Sequence, residues 1–380
     1  MLKKYLKNMD YMIIVPLLIL CLFGLIMVYS ASSALPTIRY QSENWASDHF
    51  FRKQLLAFEV GMGAFVLLTL IPSTIFKKRI ILLLNLLVSI GLLIAVLAFG
   101  QVVNNAKSWV FGIQPAELIK LSSIILLAGW YSKRQKGITR NWKMLFAPWL
   151  VILLYVILLR MQPDTGTALL IIATCAVVSF CSGFIVKRLI LLFSAGIIVL
   201  YPLVSFCVSF GVGLTDVQVN RFLAFRNPFD YAQDIGFQIV NSLIAFANGG
   251  LTGVGLGKSI QKLGYLPEPH TDFILAIIGE ETGLIGVIIV IICIFLIVWR
   301  GLLIAHQSND SFDSLLATGI CALIVIQTFV NIGGVTSLIP LTGVPLPFVS
   351  YGGTSMMVML SMVGMLMNIS IRNKMNKETL

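Results

Sequence analysis

Residues 272–299 read DFILAIIGEETGLIGVIIVIICIFLIVW, and from Thr282 to Trp299 the run holds no charged side chain. A hydrocarbon core of about 30 Å needs roughly 20 helical residues at about 1.5 Å each, so this stretch is long enough to cross a bilayer. Backbone N–H and C=O groups find no partner in lipid, which leaves helices and closed barrels as spanning structures. The alternating pattern of a membrane barrel strand is absent. The stretch predicts a transmembrane helix.

The same reading repeats along the chain. Spans are predicted at about 12–31, 54–72, 79–100, 115–131, 146–160, 165–183, 189–211, 272–299, 314–336 and 348–370. Hydrophobic residues make up 58% of the sequence and charged ones 11%, whereas a soluble domain carries roughly 25% charged residues. The expected fold is an all-α polytopic membrane protein of about ten transmembrane helices. Residues 1–380 form one transmembrane domain, with a large extracellular loop, about 212–271, between helices 7 and 8.

The net charge of +11 sits mainly in short connections. Lys3, Lys4 and Lys7 precede the first span; Lys77, Lys78 and Arg79 follow the second; Lys133, Arg134, Lys136, Arg140 and Lys143 follow the fourth. Lys187 and Arg188 follow the sixth, Arg300 and His306 the eighth, and Arg372, Lys374 and Lys377 close the chain. Every second connection is basic, which orients both termini to the cytoplasm. That distribution marks membrane topology and excludes nucleic acid as a partner. The cysteines, Cys21, Cys175, Cys181, Cys207, Cys293 and Cys321, lie in apolar segments without metal-ligand spacing and read as buried thiols. The first apolar run is too long for a cleavable signal and reads as a retained span.

In the long loop, Phe237, Val240 and Ile244 recur at helical spacing, with Gln238, Asn241 and Asn248 on other faces, which predicts a short interfacial or re-entrant helix. Gly249, Gly250, Gly253, Gly255 and Gly257 follow as an expected flexible turn. No strand precedes them, so they do not read as a phosphate-binding loop.

Ionisable groups near spans cost several kcal/mol unless paired or solvated, and so mark candidate sites. Gln114-Pro115-Ala116-Glu117-Leu118-Ile119-Lys120 opens the fourth span. Glu117 and Lys120 share a face, either as an internal ion pair or as the polar floor of a substrate cavity. Lys107, beside Trp109, sits where it could hold a lipid pyrophosphate. Arg160 and Asp164 flank the turn before the sixth span, Asp164 in an N-cap position and Arg160 within reach of a headgroup. Glu268, His270, Thr271 and Asp272 crowd the entrance to the eighth span, with Glu280 and Glu281 two turns deeper. Asp272 stands at a helix N-terminus and could serve as its cap, but a partly buried carboxylate at the water–lipid boundary, beside His270, is also a suitable general base. Before the last span stands Pro345-Leu346-Pro347-Phe348-Val349-Ser350-Tyr351-Gly352-Gly353.

Taken in order over nearly the whole chain, these motifs resemble the SEDS family (shape, elongation, division and sporulation). They include Gln114 to Glu117, Leu266-Pro267-Glu268 through His270-Thr271-Asp272-Phe273, and Pro345 through Gly353. Tyr29-Ser30-Ala31-Ser32, Asn227-Pro228-Phe229 and Gln261-Lys262-Leu263-Gly264-Tyr265 lean to the division-type branch, from which the sporulation type is not separable on these motifs. Departures are Ala116 and Thr354, each where serine is usual, and Lys107-Ser108, where an Arg-Trp pair is common.

The resemblance implies a peptidoglycan glycosyltransferase that polymerises lipid II at the outer face of the bacterial cytoplasmic membrane, at the division septum. It implies a class B penicillin-binding protein and other division proteins as partners. Asp272 then matches the family's loop aspartate and is the expected catalytic base. Lys107, Gln114, Glu117, Lys120, Arg160, Asp164, Glu268, His270, Thr271, Ser350 and Tyr351 are the expected substrate-binding groups. No cofactor is required by any motif; a divalent cation, magnesium or manganese, is admissible, although one aspartate is not a metal motif. The rival expectation is a lipid II flippase, whose path Glu117, Lys120, Glu280 and Glu281 would line.

Overall fold

Where the sequence runs apolar without interruption the chain forms long helices, because a helix satisfies its backbone within its own segment. The computed structural model describes residues 7–38, 45–103, 106–110, 112–133, 142–183 and 216–378. Its helices are α1 (Tyr11–Ser32), α2 (His49–Leu70), α3 (Arg79–Phe99), α4 (Pro115–Ser132), α5 (Trp142–Arg160) and α6 (Thr165–Cys181). They continue with α7 (Asp216–Arg226), α8 (Phe237–Gly249), α9 (Ile274–Gln307), α10 (Ser311–Val335) and α11 (Gly353–Glu378). Nine of the ten predicted spans coincide with these helices; the predicted span 189–211 lies outside the described residues.

Among the described residues six helices are long and apolar enough to cross a membrane, and α5 and α6 are shorter apolar ones. Helix α4 is more polar, and its Glu117, Lys120, Ser122 and Ser123 are buried. Of the most apolar window in α11, 83% is buried, against 17% in α3. Helix α11 therefore runs through the interior and α3 lies outside. The methionines of α11 (Met356, Met359, Met362, Met365 and Met367 are all buried) suit that place, since the unbranched thioether fills irregular gaps.

One small addition to the expected helical fold is an antiparallel pair, β1 (Gln101–Val103) with β2 (Ala106–Trp109). One expectation needs correction. Cys181 is exposed, while Cys21, Cys175, Cys293 and Cys321 are buried.

Connections predicted to share one side of the membrane do meet at one end of the bundle. There Arg300 Nε lies 2.7 Å from Asp10 Oδ2, Arg372 Nη1 3.4 Å from Asp313 Oδ2, and Lys77 pairs with Asp310. A polar cleft of about 540 Å³, lined by Asp310, Asp313, Arg372 and Lys377 among others, opens at that end.

At the other end the long loop folds back onto α9. Helix α8 exists as predicted, but it buries Ile239, Asn241, Ser242 and Ala245 and leaves Ile244 exposed. Its last residue, Gly249, lies so close to α9 that a Cβ there would sit 1.8 Å from the Gly279 carbonyl oxygen. The glycine stretch beyond it is no free turn. Helix α9 breaks at Gly283, whose φ of 66° and ψ of −167° belong to glycine alone. The loop enters the break: the N–H groups of Val254 and Gly255 donate to the Glu280 and Glu281 carbonyls, and those of Leu284 and Ile285 donate to the Gly250 and Leu251 carbonyls. Backbone groups that a continuous helix would pair internally are thus paired across the break.

The buried Glu280 and Glu281 side chains fasten the loop. Glu281 receives Ser30 Oγ at 2.7 Å, Lys262 Nζ at 2.8 Å and the Gly257 N–H at 2.9 Å. Glu280 receives the Ser259 hydroxyl, Asn248 Nδ2 at 3.3 Å and the N–H groups of Ile260 and Gln261 at 3.3 Å each.

Candidate active site

Between α10 and α11 the chain, residues 336–352 (the strap), is not helical, and from Val344 to Ser350 it is largely buried. Such backbone survives at membrane depth only where protein groups satisfy it. Three side-chain amides do so here. Gln327 Nε2 donates to the Pro345 carbonyl (2.9 Å) and Asn331 Nδ2 to the Val344 carbonyl (2.8 Å). Gln54 grips the strap with both ends of its amide: Nε2 donates to the Ser350 carbonyl, and Oε1 accepts from the Gly352 N–H, at 3.1 Å each. The Tyr351 N–H donates to the His270 carbonyl at 2.8 Å, tying the strap to the long loop.

Asp272 sits where that loop turns into α9. A Cβ built on strap residue Gly343 would lie 3.4 Å from Asp272 Oδ2, so the carboxyl rests against the strap. Its own carbonyl accepts from Asn331 Nδ2 at 2.9 Å. The N-cap position of α9 is Phe273, without a side-chain capping bond. The capping role available to Asp272 is therefore not used, and among the described residues its carboxylate accepts no hydrogen bond. Loss of water around the half-buried group, reinforced by the Glu268 carboxylate and opposed by Arg221, raises the Asp272 pKa from 3.8 to about 6.

The neighbours of Asp272 have defined places. Thr271 Oγ1 donates to Glu268 Oε2 at 3.2 Å. The buried His270 ring packs against Phe50 and Tyr351, with centroids 4.5 and 5.1 Å away. Ser350 is committed to the strap itself, its hydroxyl accepting the Leu346 N–H at 2.7 Å.

A second polar group lies on the other flank of the strap. Lys120 Nζ and Glu117 Oε2 are 2.7 Å apart, with side chains 1% and 3% exposed. Lys120 also donates to Gln327 Oε1 at 3.0 Å, so the ion pair and the strap share one amide. Asp164 does cap α6, its Oδ1 accepting the Thr167 N–H at 3.1 Å. Burial raises its pKa, and the charges of Glu117 and Lys120 reach it with opposite sign. Next to it, Gly166 lies against the Thr342 carbonyl oxygen, 2.8 Å from where a Cβ would stand. From Thr342 to Pro345 the strap thus passes Gly166, the Asp272 carboxyl, Asn331 and Gln327 in turn, with Asp164 near the first and Lys120 bonded to the last.

The remaining sequence-predicted residues sit around this frame. Gln114 is the N-cap residue of α4, and its N–H donates to Thr354 Oγ1 at 3.0 Å. Arg160 is exposed at the end of α5 and donates to Thr165 Oγ1 at 2.9 Å. The Lys107 backbone pairs with Val102 in the small sheet; its side chain lies outside the described residues. Sequence reasoning missed Gln54, Gln327, Asn331, Lys262 and Arg221. The first three had a signal, since uncharged amides in apolar spans need partners as ionisable groups do. No group of three or more His, Cys, Asp or Glu side chains among the described residues is placed to hold a metal ion.

Residues 10–375 match the family described as cell cycle protein, that of FtsW, RodA and SpoVE. Over its whole length the chain is 44% identical to the probable peptidoglycan glycosyltransferase FtsW of Bacillus subtilis, covering 96% of that protein. It is 38% identical to stage V sporulation protein E of the same organism, over 95% of this chain and 96% of that one. The fold superimposes with a TM-score of 0.76 on a chain from a structure described as "Structural coordination of polymerization and crosslinking by a peptidoglycan synthase complex", at 25% identity over 96% of this chain and 98% of that one. Against the Thermus thermophilus rod shape determining protein RodA the TM-score is 0.67, at 24% identity over 95% and 96% of the two chains.

Proposed function

Because the chain belongs to the FtsW, RodA and SpoVE family of cell cycle proteins, we propose that it is a peptidoglycan glycosyltransferase that polymerises lipid II during cell division, with Asp272 as the general base. One observation carries the assignment of the base. Of the carboxylates around the strap, Glu117 is paired, Asp164 caps a helix, Glu268 holds Thr271, and Glu280 and Glu281 fasten the loop; Asp272 is uncommitted. A half-buried carboxyl with a pKa near 6 is largely ionised at neutral pH and still basic enough to take a proton.

The donor sugar of lipid II carries an α-linked pyrophosphate, and the glycan bond formed is β-1,4. One inverting displacement therefore suffices. The acceptor 4-hydroxyl oxygen bonds to the anomeric carbon, the bond from that carbon to the pyrophosphate oxygen breaks, and the hydroxyl proton passes to Asp272. Arg221, whose charge reaches Asp272, joins Lys107 and Arg160 as cations for the leaving pyrophosphate. The basic connections support cytoplasmic termini, with this chemistry at the outer face and the septum as its location. A class B penicillin-binding protein is the proposed partner, in keeping with the peptidoglycan synthase complex among the structural relatives.

A flippase fits less well. Glu280 and Glu281 are consumed by the loop, and beyond the break the buried side chains of α9, among them Val287, Val290, Cys293, Ile294 and Ile297, are apolar. Incubating the purified protein and its transpeptidase partner with labelled lipid II should give glycan ladders that survive penicillin. Absence of ladders, together with movement of dye-labelled lipid II across proteoliposome membranes, would replace the polymerase reading with transport.

A further inference from the structure

The amide of Asn331 joins the strap to the backbone of Asp272. Asn331 is 3% exposed on α10, one helical turn beyond Gln327. Its two N–H bonds are spent on carbonyls of separate segments, Asp272 at 2.9 Å and Val344 at 2.8 Å. The first turn of α9 does not use the Asp272 carbonyl, because the N–H groups of Ala276 and Ile277 both donate to Phe273. The adjoining strap residue, Gly343, is the surface against which the Asp272 carboxyl rests.

We infer that Asn331 is a positioning residue for Asp272, fixing its carboxyl against the strap at the place where a sugar hydroxyl must meet it. This rests on Asp272 being the base. A single planar amide sets the spacing of two backbones, so the Asp272 backbone that carries the carboxyl cannot move away from the strap without stretching a buried hydrogen bond. Gln327 does the same one turn earlier, between Lys120 and Pro345. The two amides together join the buried Glu117–Lys120 pair to the base through α10. Charges that bear on the Asp272 carboxyl come from Glu268 in the loop and Arg221 on α7. His270, two residues away, packs on Phe50 and Tyr351, and α10 and the strap contribute only neutral groups.

The test compares Asn331→Leu, of similar size but without donors, with Asn331→Ser, which keeps one donor, in lipid II polymerisation by the full-length protein with its partner. A misplaced catalytic group costs up to about 10²-fold in rate. Asn331→Leu should therefore lower kcat by about that factor while KM stays within about twofold. The acid limb of its pH–rate profile should move below the wild-type midpoint near 6, as the carboxyl leaves its half-buried place. Asn331→Ser should lie between the two, and if Asn331→Leu does not fold, Asn331→Ser against wild type decides by the same limb. Lost rate with the acid limb unmoved, in whichever variant folds, would show a purely structural role and overturn the inference, as would wild-type kcat. Asp272→Asn is run alongside: full activity there overturns the base assignment itself, whereas an inactive Asp272→Asn beside an unaffected Asn331→Leu overturns the tether alone.

Discussion

Replacing Lys262 with methionine would leave the Glu281 carboxylate buried without its cation. The two side chains are 6% and 0% exposed and 2.8 Å apart. Breaking a buried pair by removing one partner typically costs about 3–5 kcal/mol. Glu281 would keep Ser30 Oγ and the Gly257 N–H, both within 2.9 Å, which places Lys262→Met at the lower end, about 3 kcal/mol. Glu281→Gln leaves the buried Lys262 ammonium without an anion, facing only neutral acceptors such as Ser30 Oγ at 3.0 Å, and should cost about as much. The double variant Lys262→Met/Glu281→Gln removes both charges and keeps a polar group for the loop. Its cost should fall short of the sum of the singles by about 2 kcal/mol or more. Thermal unfolding of the purified protein in detergent reads this: at roughly 2 °C per kcal/mol, each single variant should melt about 6 °C below wild type. Single variants that melt with wild type, or losses that simply add in the double, would refute the view that this pair holds the loop in the break of α9.

Lipid II polymerisation should rise about tenfold per pH unit up to a midpoint near 6 and level off above it, because only the ionised Asp272 can accept a proton; a rate unchanged down to pH 5 would contradict this. Gly249→Val should prevent the loop from seating, since its Cβ would fall 1.8 Å from the Gly279 carbonyl oxygen, whereas Gly63→Ala, with open space around it, should raise stability by up to about 1 kcal/mol. Equal melting temperatures for those two variants would count against the packing described. Lys120→Met should cost about 3–5 kcal/mol, while Lys77→Met, from a pair with side chains 36% and 32% exposed, should cost under about 1 kcal/mol; the comparison is again a melting temperature, and the reverse order would refute it.

The spans were legible because hydropathy over about 20 residues is a strong signal. Their ends were less so. Helix α9 runs on to Gln307, eight residues past the predicted end at Trp299, because nothing after Arg300 breaks the helix once the membrane ends. Helix α2 starts at His49 instead of 54, since Arg52 and Lys53 are polar but good helix formers. The break at Gly283 was hidden, because hydropathy sums over a window and is blind to one residue's φ. Glu280 and Glu281 could be picked out as buried acids, but their partners lie some twenty residues upstream and in α1, and sequence spacing does not reveal such pairings. Asp272 and Asp164 read alike as possible N-caps; coordinates separate them, one capping α6 and the other carrying no capping bond. The amides Gln54, Gln327 and Asn331 carry no charge and so do not stand out among ionisable groups, although the non-helical stretch before α11 needs the partners they bring at Val344, Pro345, Ser350 and Gly352.

The most direct measurement replaces one carboxylate with its amide. Asp272→Asn keeps the size and shape of the side chain and removes its basicity. Assayed as purified full-length protein with lipid II and a penicillin-blocked partner, it should melt within a few degrees of wild type and polymerise about 10²–10⁴-fold more slowly. A folded Asp272→Asn enzyme that builds glycan strands at the wild-type rate would contradict the account.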